Sequence, residues 1–186
     1  MDNTKRELLD LLIEKSLSFG DFTLASGKKS SFYFDARITT LSSRGSYLIG
    51  NVLFDAIKKL GLNSRYIGGL SLGADPITTA VTVVSWQNNM PVDGFLVRKE
   101  AKGHGKKKRI EGHIEGGSSV IIVDDVATTG GSTLSAIRAV EEEGHRVEAV
   151  LCLVDREEGA GQLLTDYRFI PVFTRTLLFE KAGYKG

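Results

Sequence analysis

The paired acids Asp124 and Asp125 lie between two stretches of opposite chemical character. Before them, Val120-Ile121-Ile122-Val123 is the apolar run of a strand buried on both faces, and after them Thr128 to Thr133 offers hydroxyls and glycines ahead of a predicted helix. Backbone N–H groups, hydroxyls and the positive end of a helix bind phosphate. Carboxylates suit hydroxyl donors, as on a ribose, or the water shell of Mg²⁺. The segment therefore predicts a ligand with a phosphate on one side and a diol on the other.

A plainer interpretation is a strand–turn–helix unit whose acids cap the helix, but the combination of both halves favours a binding site. Other phosphate motifs do not match. Gly27-Lys28 is followed by Lys29 rather than by serine or threonine, and no G-x-G-x-x-G joins a predicted strand to a helix. These mismatches exclude P-loop, kinase and dinucleotide-binding motifs.

A second candidate feature is a concentrated basic stretch in a chain whose net charge is only +1. Its cations are Arg98, Lys99, Lys102, Lys106, Lys107, Lys108 and Arg109, opposed by Glu100. The stretch belongs to a long glycine-rich loop predicted to run from Arg98 to about Gly117. Such a loop beside the ligand edge of a sheet predicts a lid over an anion, mobile without ligand. For Lys106 to Lys108 a solvated surface is the preferred interpretation.

The composition fits a globular α/β chain: 186 residues, 41% hydrophobic and 25% charged. No apolar run reaches membrane-spanning length and no signal peptide is recognised, so we expect a cytoplasmic protein without a membrane partner. Cys152 is the one cysteine, inside an apolar run, and is interpreted as a buried residue of the core. His113 and His145 are expected at the surface, and Trp86 in the core or at an interface.

Strands and helices alternate through most of the sequence, which predicts a doubly wound, mostly parallel sheet flanked by helices. The predicted helices cover residues 4–18, 42–60, a segment opened by Pro76, and 134–143. The predicted strands cover residues 66–70, 94–97, 120–123 and 147–154, with a turn over 124–132 and strand-like character at 32–34.

The segment Val-Ile-Ile-Val-Asp-Asp-Val-Ala-Thr-Thr-Gly-Gly-Ser-Thr, residues 120–133, resembles the phosphoribosyl-diphosphate (PRPP) signature of type I phosphoribosyltransferases. Three further segments, residues 22–35, 98–105 and 154–160, resemble the N-terminal element, the mobile catalytic loop and the carboxylate-binding segment of orotate phosphoribosyltransferases. Where many members of that family have a lysine, this chain has Ala25.

The resemblance implies transfer of phosphoribose from PRPP to orotate, giving orotidine 5'-monophosphate and pyrophosphate in pyrimidine biosynthesis, with Mg²⁺ as cofactor. It implies one phosphoribosyltransferase domain over residues 1–186, with a hood element over about 1–40 and a core over about 41–175. It also implies a homodimer whose lid reaches the neighbouring site. Nucleic acid is not an expected partner.

Individual roles follow from the same resemblance. The predicted catalytic residues are Lys102, His104, Asp124 and Asp125. The predicted PRPP-binding residues are Arg98, Lys99, Lys102, His104, Asp124, Asp125, Val126, Ala127, Thr128, Thr129, Gly130, Gly131 and Ser132. The predicted orotate-binding residues are Tyr33, Phe34, Thr128 and Arg156. Mg²⁺ is expected to be held mainly by PRPP, with Asp124 and Asp125 reaching it through water, and Ser71 to Ala74 should face the pyrophosphate through backbone amides.

Alternatives remain open at this point. A guanidinium suits a planar carboxylate, but Arg156 could instead form a surface salt bridge with Glu157 or Glu158. A phosphoribosyltransferase for another base is a second candidate function, disfavoured by Arg156 and the aromatic N-terminal segment. A non-catalytic regulator that binds nucleotides or RNA is a third, disfavoured by the presence of Lys102 and His104.

Overall fold

The computed structural model describes residues 1–23, 27, 29–100 and 109–184. The helices are α1 (Asn3–Ser16), α2 (Arg37–Thr40), α3 (Ser43–Lys59), α4 (Ala74–Gln87), α5 (Gly131–Glu142), α6 (Ala160–Leu163) and α7 (Arg175–Lys181). The strands are β1 (Leu17–Thr23), β2 (Lys29–Phe34), β3 (Tyr66–Leu70), β4 (Asp93–Val97), β5 (Ile110–Gly112), β6 (Ser119–Ala127), β7 (Arg146–Asp155) and β8 (Phe169–Thr174).

The central sheet has the order β5-β4-β3-β6-β7-β8 within the described residues. Neighbouring strands are parallel except for β5, which runs antiparallel to β4 at the edge. The predicted doubly wound, mostly parallel sheet is therefore confirmed. The carboxyl ends of β3, β4, β6 and β7 meet along one edge, which is where ligands bind in open α/β sheets.

Helices cover both faces of this sheet, and β6 contributes to both resulting cores. Ile121 and Val123 pack into one core with α1, α3 and α4, whereas Val120 and Ile122 pack into the other with α5. Successive side chains of a strand point to opposite faces, so a strand covered on both sides must be apolar at every position. The continuous apolar run in the sequence has this physical cause.

A separate antiparallel hairpin of β1 and β2 forms the N-terminal hood. Phe32 and Phe34 of β2 pack against the core on the α3/α4 side. The C-terminal segment closes over the hairpin through aromatic contacts: the ring of Phe179 lies 5.0 Å from that of Phe32, and Tyr184 stacks on Phe19 at 4.1 Å. No specific role was predicted for this segment, yet it supplies an edge strand and a helix that packs against the hood. The division into hood and core at about residue 40 stays a prediction.

Two predicted boundaries near the ligand edge were wrong. The predicted turn over residues 124–132 begins too early, because β6 continues to Ala127 and pairs with β7 through Asp124–Cys152 and Val126–Val154. The following helix starts at Gly131, three residues before the predicted start. The predicted loop from Arg98 to Gly117 also contains β5, which pairs with β4.

Three single-residue expectations can be compared directly with the structure. Cys152 is buried, as expected. His145 is buried rather than at the surface, because its N–H donates to the carbonyl of Val140 and folds the turn after α5 against the core. Trp86 is 75% exposed on α4, so a core position is excluded. In the described ranges, no helix combines the length and apolar character that a membrane crossing requires.

Candidate active site

The centre of the site is the junction between β6 and α5. Asp124 is only 7% exposed, and its Oδ2 accepts a 2.5 Å hydrogen bond from the Thr133 hydroxyl in the first turn of α5. Thr133 is itself buried at 1% exposure. The bond ties the end of the strand to the start of the helix and fixes the direction of the Asp124 carboxylate.

Asp125 lies against the loop that follows β3. Its Oδ1 accepts from the Val126 backbone N–H at 2.9 Å, and a Cβ added at Gly73 would lie 2.3 Å from that same oxygen. Only a glycine at position 73 leaves room for the carboxylate in this position. The two acids are thus held by different partners, Asp124 by a helix and Asp125 by backbone.

Desolvation dominates the electrostatics of this acid pair. Burial raises the pKa of Asp124 to about 7, and the neighbouring Asp125 charge adds to the increase while the Thr133 hydrogen bond opposes it. Burial also raises the pKa of Asp125, against the lowering effect of the Val126 N–H and the charge of Arg37. Two carboxylates with raised pKa values favour ligands that bring hydroxyl donors or positive charge.

We expect Asp124→Asn to stabilise the fold above neutral pH. The folded-state pKa exceeds the ordinary value of 3.8, so wild-type stability should fall as pH rises from about 4 to about 7. At about 1.4 kcal/mol per pKa unit, asparagine should recover about 1–4 kcal/mol at pH 8, because its side-chain oxygen still accepts from Thr133. Each kcal/mol raises Tm by about 2–4 °C in a chain of this size.

Thermal unfolding of the metal-free protein at pH 5 and pH 8 measures this effect. Asp10→Asn, at an exposed position of α1, is the matched control and should shift Tm at neither pH. A lower Tm for Asp124→Asn than for wild type at pH 8 would contradict the predicted burial cost.

The turn between β6 and α5 has the form expected of a phosphate cradle. Gly130 has a left-handed φ of 83°, and an added Cβ would lie 3.2 Å from the Ala160 Cα. The carbonyl of Thr128 accepts from the Ala160 N–H at 3.0 Å, so α6 supports the turn from behind. Thr129, Gly131 and Ser132 are exposed at the start of α5, where the first N–H groups of a helix have no intrahelical acceptor.

Not every predicted PRPP-binding residue has a side chain that a ligand could reach. Val126 is half-buried and Ala127 is buried, so Ala127 can offer a ligand only its backbone. Ser71 follows β3, and its hydroxyl donates to Asp75 at 2.9 Å; Gly73, two residues on, touches Asp125. The structure therefore places the Ser71 to Ala74 segment beside Asp125, and its contact with the pyrophosphate through backbone amides stays a prediction.

Arg98 and Lys99 follow β4 at the same edge of the sheet. Together with Ser71 they line one open pocket, although Arg98 also forms a 3.0 Å ion pair with Glu111 of β5. Lys102, His104 and the lysines at 106–108 lie outside the described residues, as do Ala25 and Lys28. Arg98 and Arg109, on either side of residues 101–108, are held together, because the Arg98 N–H donates a 2.7 Å hydrogen bond to the Arg109 carbonyl.

Arg156 directly follows β7, beside the end of β6, and its N–H donates to the Ala127 carbonyl at 2.9 Å. Its guanidinium forms an ion pair with Glu158, as the alternative interpretation of Arg156 allowed, and lies 4.9 Å from the centre of the Phe32 ring. Glu157 has other partners, the N–H and hydroxyl of Thr176. Phe34 lines the same small pocket as Arg156.

Tyr33 is not brought into that pocket, because alternate residues of β2 face opposite ways. It is 43% exposed, and its ring contacts Phe22 of the hairpin. Sequence reasoning missed Arg37, whose guanidinium forms two 3.0 Å hydrogen bonds with Asp35 and whose charge acts on Asp125. The only signal was an acid and an arginine two positions apart after the aromatic segment.

Comparison with known proteins places this geometry in a family. Residues 77–179 match the model of the phosphoribosyl transferase domain. The orotate phosphoribosyltransferase of Aquifex aeolicus is 43% identical over 180 residues, covering 95% of this chain and 97% of the relative. That of Rhodopirellula baltica is 40% identical over 168 residues, with 87% of each chain covered.

Solved structures agree. Mycobacterium tuberculosis orotate phosphoribosyltransferase in complex with PRPP superposes with a TM-score of 0.79 at 34% identity, covering 94% of this chain and 98% of that one. The enzyme from Aeropyrum pernix gives a TM-score of 0.81 at 33% identity, covering 96% and 99%. The chain belongs to the orotate phosphoribosyltransferase family.

Proposed function

We propose that this protein transfers the 5-phosphoribosyl group of PRPP to orotate, releasing orotidine 5'-monophosphate and pyrophosphate, as a step of pyrimidine biosynthesis. The observation that carries the proposal is one continuous arrangement at the end of β6. The buried Asp124 with the half-buried Asp125, a glycine-containing phosphate cradle and, one strand away, Arg156 line the same edge of the sheet.

Each part of the two substrates has a counterpart along this edge. The 5'-phosphate suits the exposed start of α5, and the ribose diol suits Asp124 and Asp125. The pyrophosphate suits the Ser71 to Ala74 backbone with Arg98 and Lys99. The orotate carboxylate suits Arg156, with Phe34 beside it. Thr128 follows Ala127, whose carbonyl accepts from the Arg156 N–H, and is proposed as an orotate contact, whereas Tyr33 is not proposed as one.

In the reaction, a ring nitrogen of orotate gives up its N–H proton to water and forms a bond to the anomeric carbon, while the bond from that carbon to the pyrophosphate oxygen breaks. The electron pair leaves with pyrophosphate, so negative charge accumulates there in the transition state. Fixed cations stabilise such a charge most where water is excluded. Lys102 and His104 are proposed for this role together with Arg98 and Lys99.

Mg²⁺ is the proposed cofactor. The carboxylates of Asp124 and Asp125 are oxygen ligands of the kind that it prefers, and two of them fit an ion that takes its other ligands from substrate oxygens and water. In the ranges that the structure describes, no cluster of three or more His, Cys, Asp or Glu side chains could hold a metal by itself.

The direct test is the fall in orotate absorbance when protein, PRPP and Mg²⁺ are mixed, with chromatography to identify orotidine 5'-monophosphate. Adenine, guanine, hypoxanthine and uracil in parallel reactions test the alternative of another base. Consumption of one of those bases with no consumption of orotate would overturn the proposal.

We further propose a homodimer built on α3 and α4. Four large apolar side chains are exposed along one groove on these helices and the adjoining loops: Leu41, Tyr47, Leu72 and Val83. Trp86 does not line the groove but is exposed on α4 three residues after Val83, and the five residues together are called here the α3–α4 patch. Contiguous exposed apolar surface of this kind marks a protein–protein interface. Leu72 follows Ser71 directly, so the patch adjoins the proposed pyrophosphate site.

Trp86→Glu should convert the dimer to a monomer, because it places a charge in an interface that would otherwise be apolar. Sedimentation equilibrium measures the outcome. Thr165→Glu, exposed near the core on the α5 side, is the charge-matched control and should leave the mass unchanged. A wild-type protein that sediments as a monomer at micromolar concentration would contradict the proposal.

The dimer also allows a test of the shared lid. Mixing a Lys102→Ala chain with an Asp124→Asn/Asp125→Asn chain should restore activity, because half of the heterodimer sites then carry neither defect. If subunit exchange is verified and activity does not return, the lid serves its own subunit.

A further inference from the structure

Arg156 is held by two side chains before any ligand arrives. We propose that Glu158 and Phe32 are positioning residues that fix the Arg156 guanidinium. Its edge at Nη1 and Nη2 then faces the base pocket, which is the small pocket that Arg156 lines together with Phe32 and Phe34, and selects ligands with a carboxylate. The inference rests on the proposed function, because it concerns how that base is recognised.

Glu158 occupies one edge of the guanidinium. Its Oε1 accepts from Nε of Arg156 at 2.9 Å and lies 2.8 Å from Nη2. A guanidinium has two edges that can form paired hydrogen bonds, one at Nε and Nη2 and one at Nη1 and Nη2. Because Glu158 occupies the edge at Nε and Nη2, the edge at Nη1 and Nη2 remains for a planar carboxylate. Nη1 has no hydrogen-bond partner among the described residues.

Phe32 restrains the plane of the same group. The guanidinium carbon lies 4.9 Å from the centre of the Phe32 ring, within the range of a cation–π contact. The Phe179 ring of α7 meets Phe32 edge-on at 5.0 Å and holds it in turn. The Arg156 side chain is only 17% exposed, so solvent competes little for these contacts.

Glu158 is restrained from a second side as well. Nη1 of Arg175 lies 3.8 Å from the same Oε1 that Arg156 binds, and both arginines line the pocket with Phe32 and Phe34. A carboxylate bound by two cations is held in place more firmly than a single surface pair, so it can orient Arg156 rather than follow it.

Positioning of this kind has a consequence that a general structural role lacks. Because the guanidinium is oriented in advance, binding a carboxylate costs little side-chain entropy. Removing the contacts that Glu158 and Phe32 make with Arg156 should therefore weaken the binding of ligands that carry the carboxylate. The binding of otherwise identical ligands should not change. Orotidine 5'-monophosphate and uridine 5'-monophosphate form such a pair, since they differ only by that group.

The experiment is calorimetric titration of both nucleotides into wild type, Glu158→Ala, Glu158→Gln and Phe32→Leu. We expect Glu158→Ala to weaken orotidine 5'-monophosphate by on the order of 10-fold, the size expected for a hydrogen bond to a charged group, with uridine 5'-monophosphate unchanged. Phe32→Leu, which keeps apolar volume, should weaken the same nucleotide several-fold. Glu158→Gln, which keeps an acceptor oxygen, should recover part of the loss.

Glu157→Gln is the matched control, because the neighbouring acid binds Thr176 and not Arg156. It should leave both affinities within about two-fold. An unchanged affinity ratio in both Glu158→Ala and Phe32→Leu, with normal thermal unfolding, overturns the inference, and so does tighter binding of orotidine 5'-monophosphate by Glu158→Ala. If wild type fails to convert orotate, the proposed function fails instead, so the two failures are distinguishable.

Discussion

Replacing Asp124 and Asp125 together by asparagine should lower kcat/KM for PRPP by about 10²–10⁴-fold while the protein stays folded. Each carboxylate is expected to accept a hydrogen bond from the ribose diol, and each such bond to a charged group contributes about 1.5–3 kcal/mol. The amides keep the shape of the site, including the Thr133 bond, but remove both charges. Steady-state kinetics at saturating orotate and pH 8 measures the effect.

Thermal unfolding of the double variant, measured at the same pH, tests whether it is folded. The double variant should be at least as stable as wild type at this pH. Asp10→Asn serves as the control for removal of a surface charge and should retain full activity. Unchanged turnover in a folded double variant would show that the acid pair does not bind PRPP, and the assignment of the cradle would fail with it.

Arg156→Ala should weaken orotate by about 2–5 kcal/mol, the cost of removing one partner from a desolvated charge pair. This corresponds to about 30- to 5,000-fold in KM for orotate, with KM for PRPP within about two-fold of wild type. Arg156→Lys should recover little, because a single ammonium cannot reproduce paired hydrogen bonds in one plane.

Arg6→Ala, at an exposed position of α1, provides the control for loss of an arginine and should change neither constant. If Arg156→Ala raises KM for PRPP and leaves that for orotate, Arg156 belongs to the phosphate side of the site and the identity of the base must be reconsidered.

Much of the sheet was predictable because burial on both faces leaves a simple sequence pattern. The strands β3, β4, β6 and β7 were all located, β6 from a continuous apolar run and the others from mainly apolar segments that alternate with predicted helices and loops. The end of β6 was misplaced because two adjacent acids are typical of turns, while the pairing that extends the strand to Ala127 comes from β7, far along the chain. β8 was missed because Pro171 argues against a strand, although an edge position tolerates it.

The candidate site was predictable wherever one segment carries all its chemistry. Residues 124–132 do so, and the structure places them at the junction of β6 and α5, while their contacts with a ligand stay predictions. Interactions between distant segments were not predictable: the charge of Arg37 lowers the pKa of Asp125 from the hood side, and the Phe32 ring lies against Arg156 across about 120 residues of sequence. Tyr33 does not line the pocket of Phe34 and Arg156, and this was not predictable, because the side of a two-stranded hairpin that faces the core depends on what covers the hairpin.

The contact between α7 and the hood links the end of the chain to the base pocket. Phe179 braces Phe32, and Phe32 lies under Arg156, so the docking of α7 and the binding of a carboxylate share one set of contacts. Coupling of this kind is reciprocal: whatever holds α7 more firmly favours carboxylate binding, and a bound carboxylate protects α7 from local opening by the same free energy. Base selectivity and the stability of the C-terminal helix should then report one and the same coupling free energy.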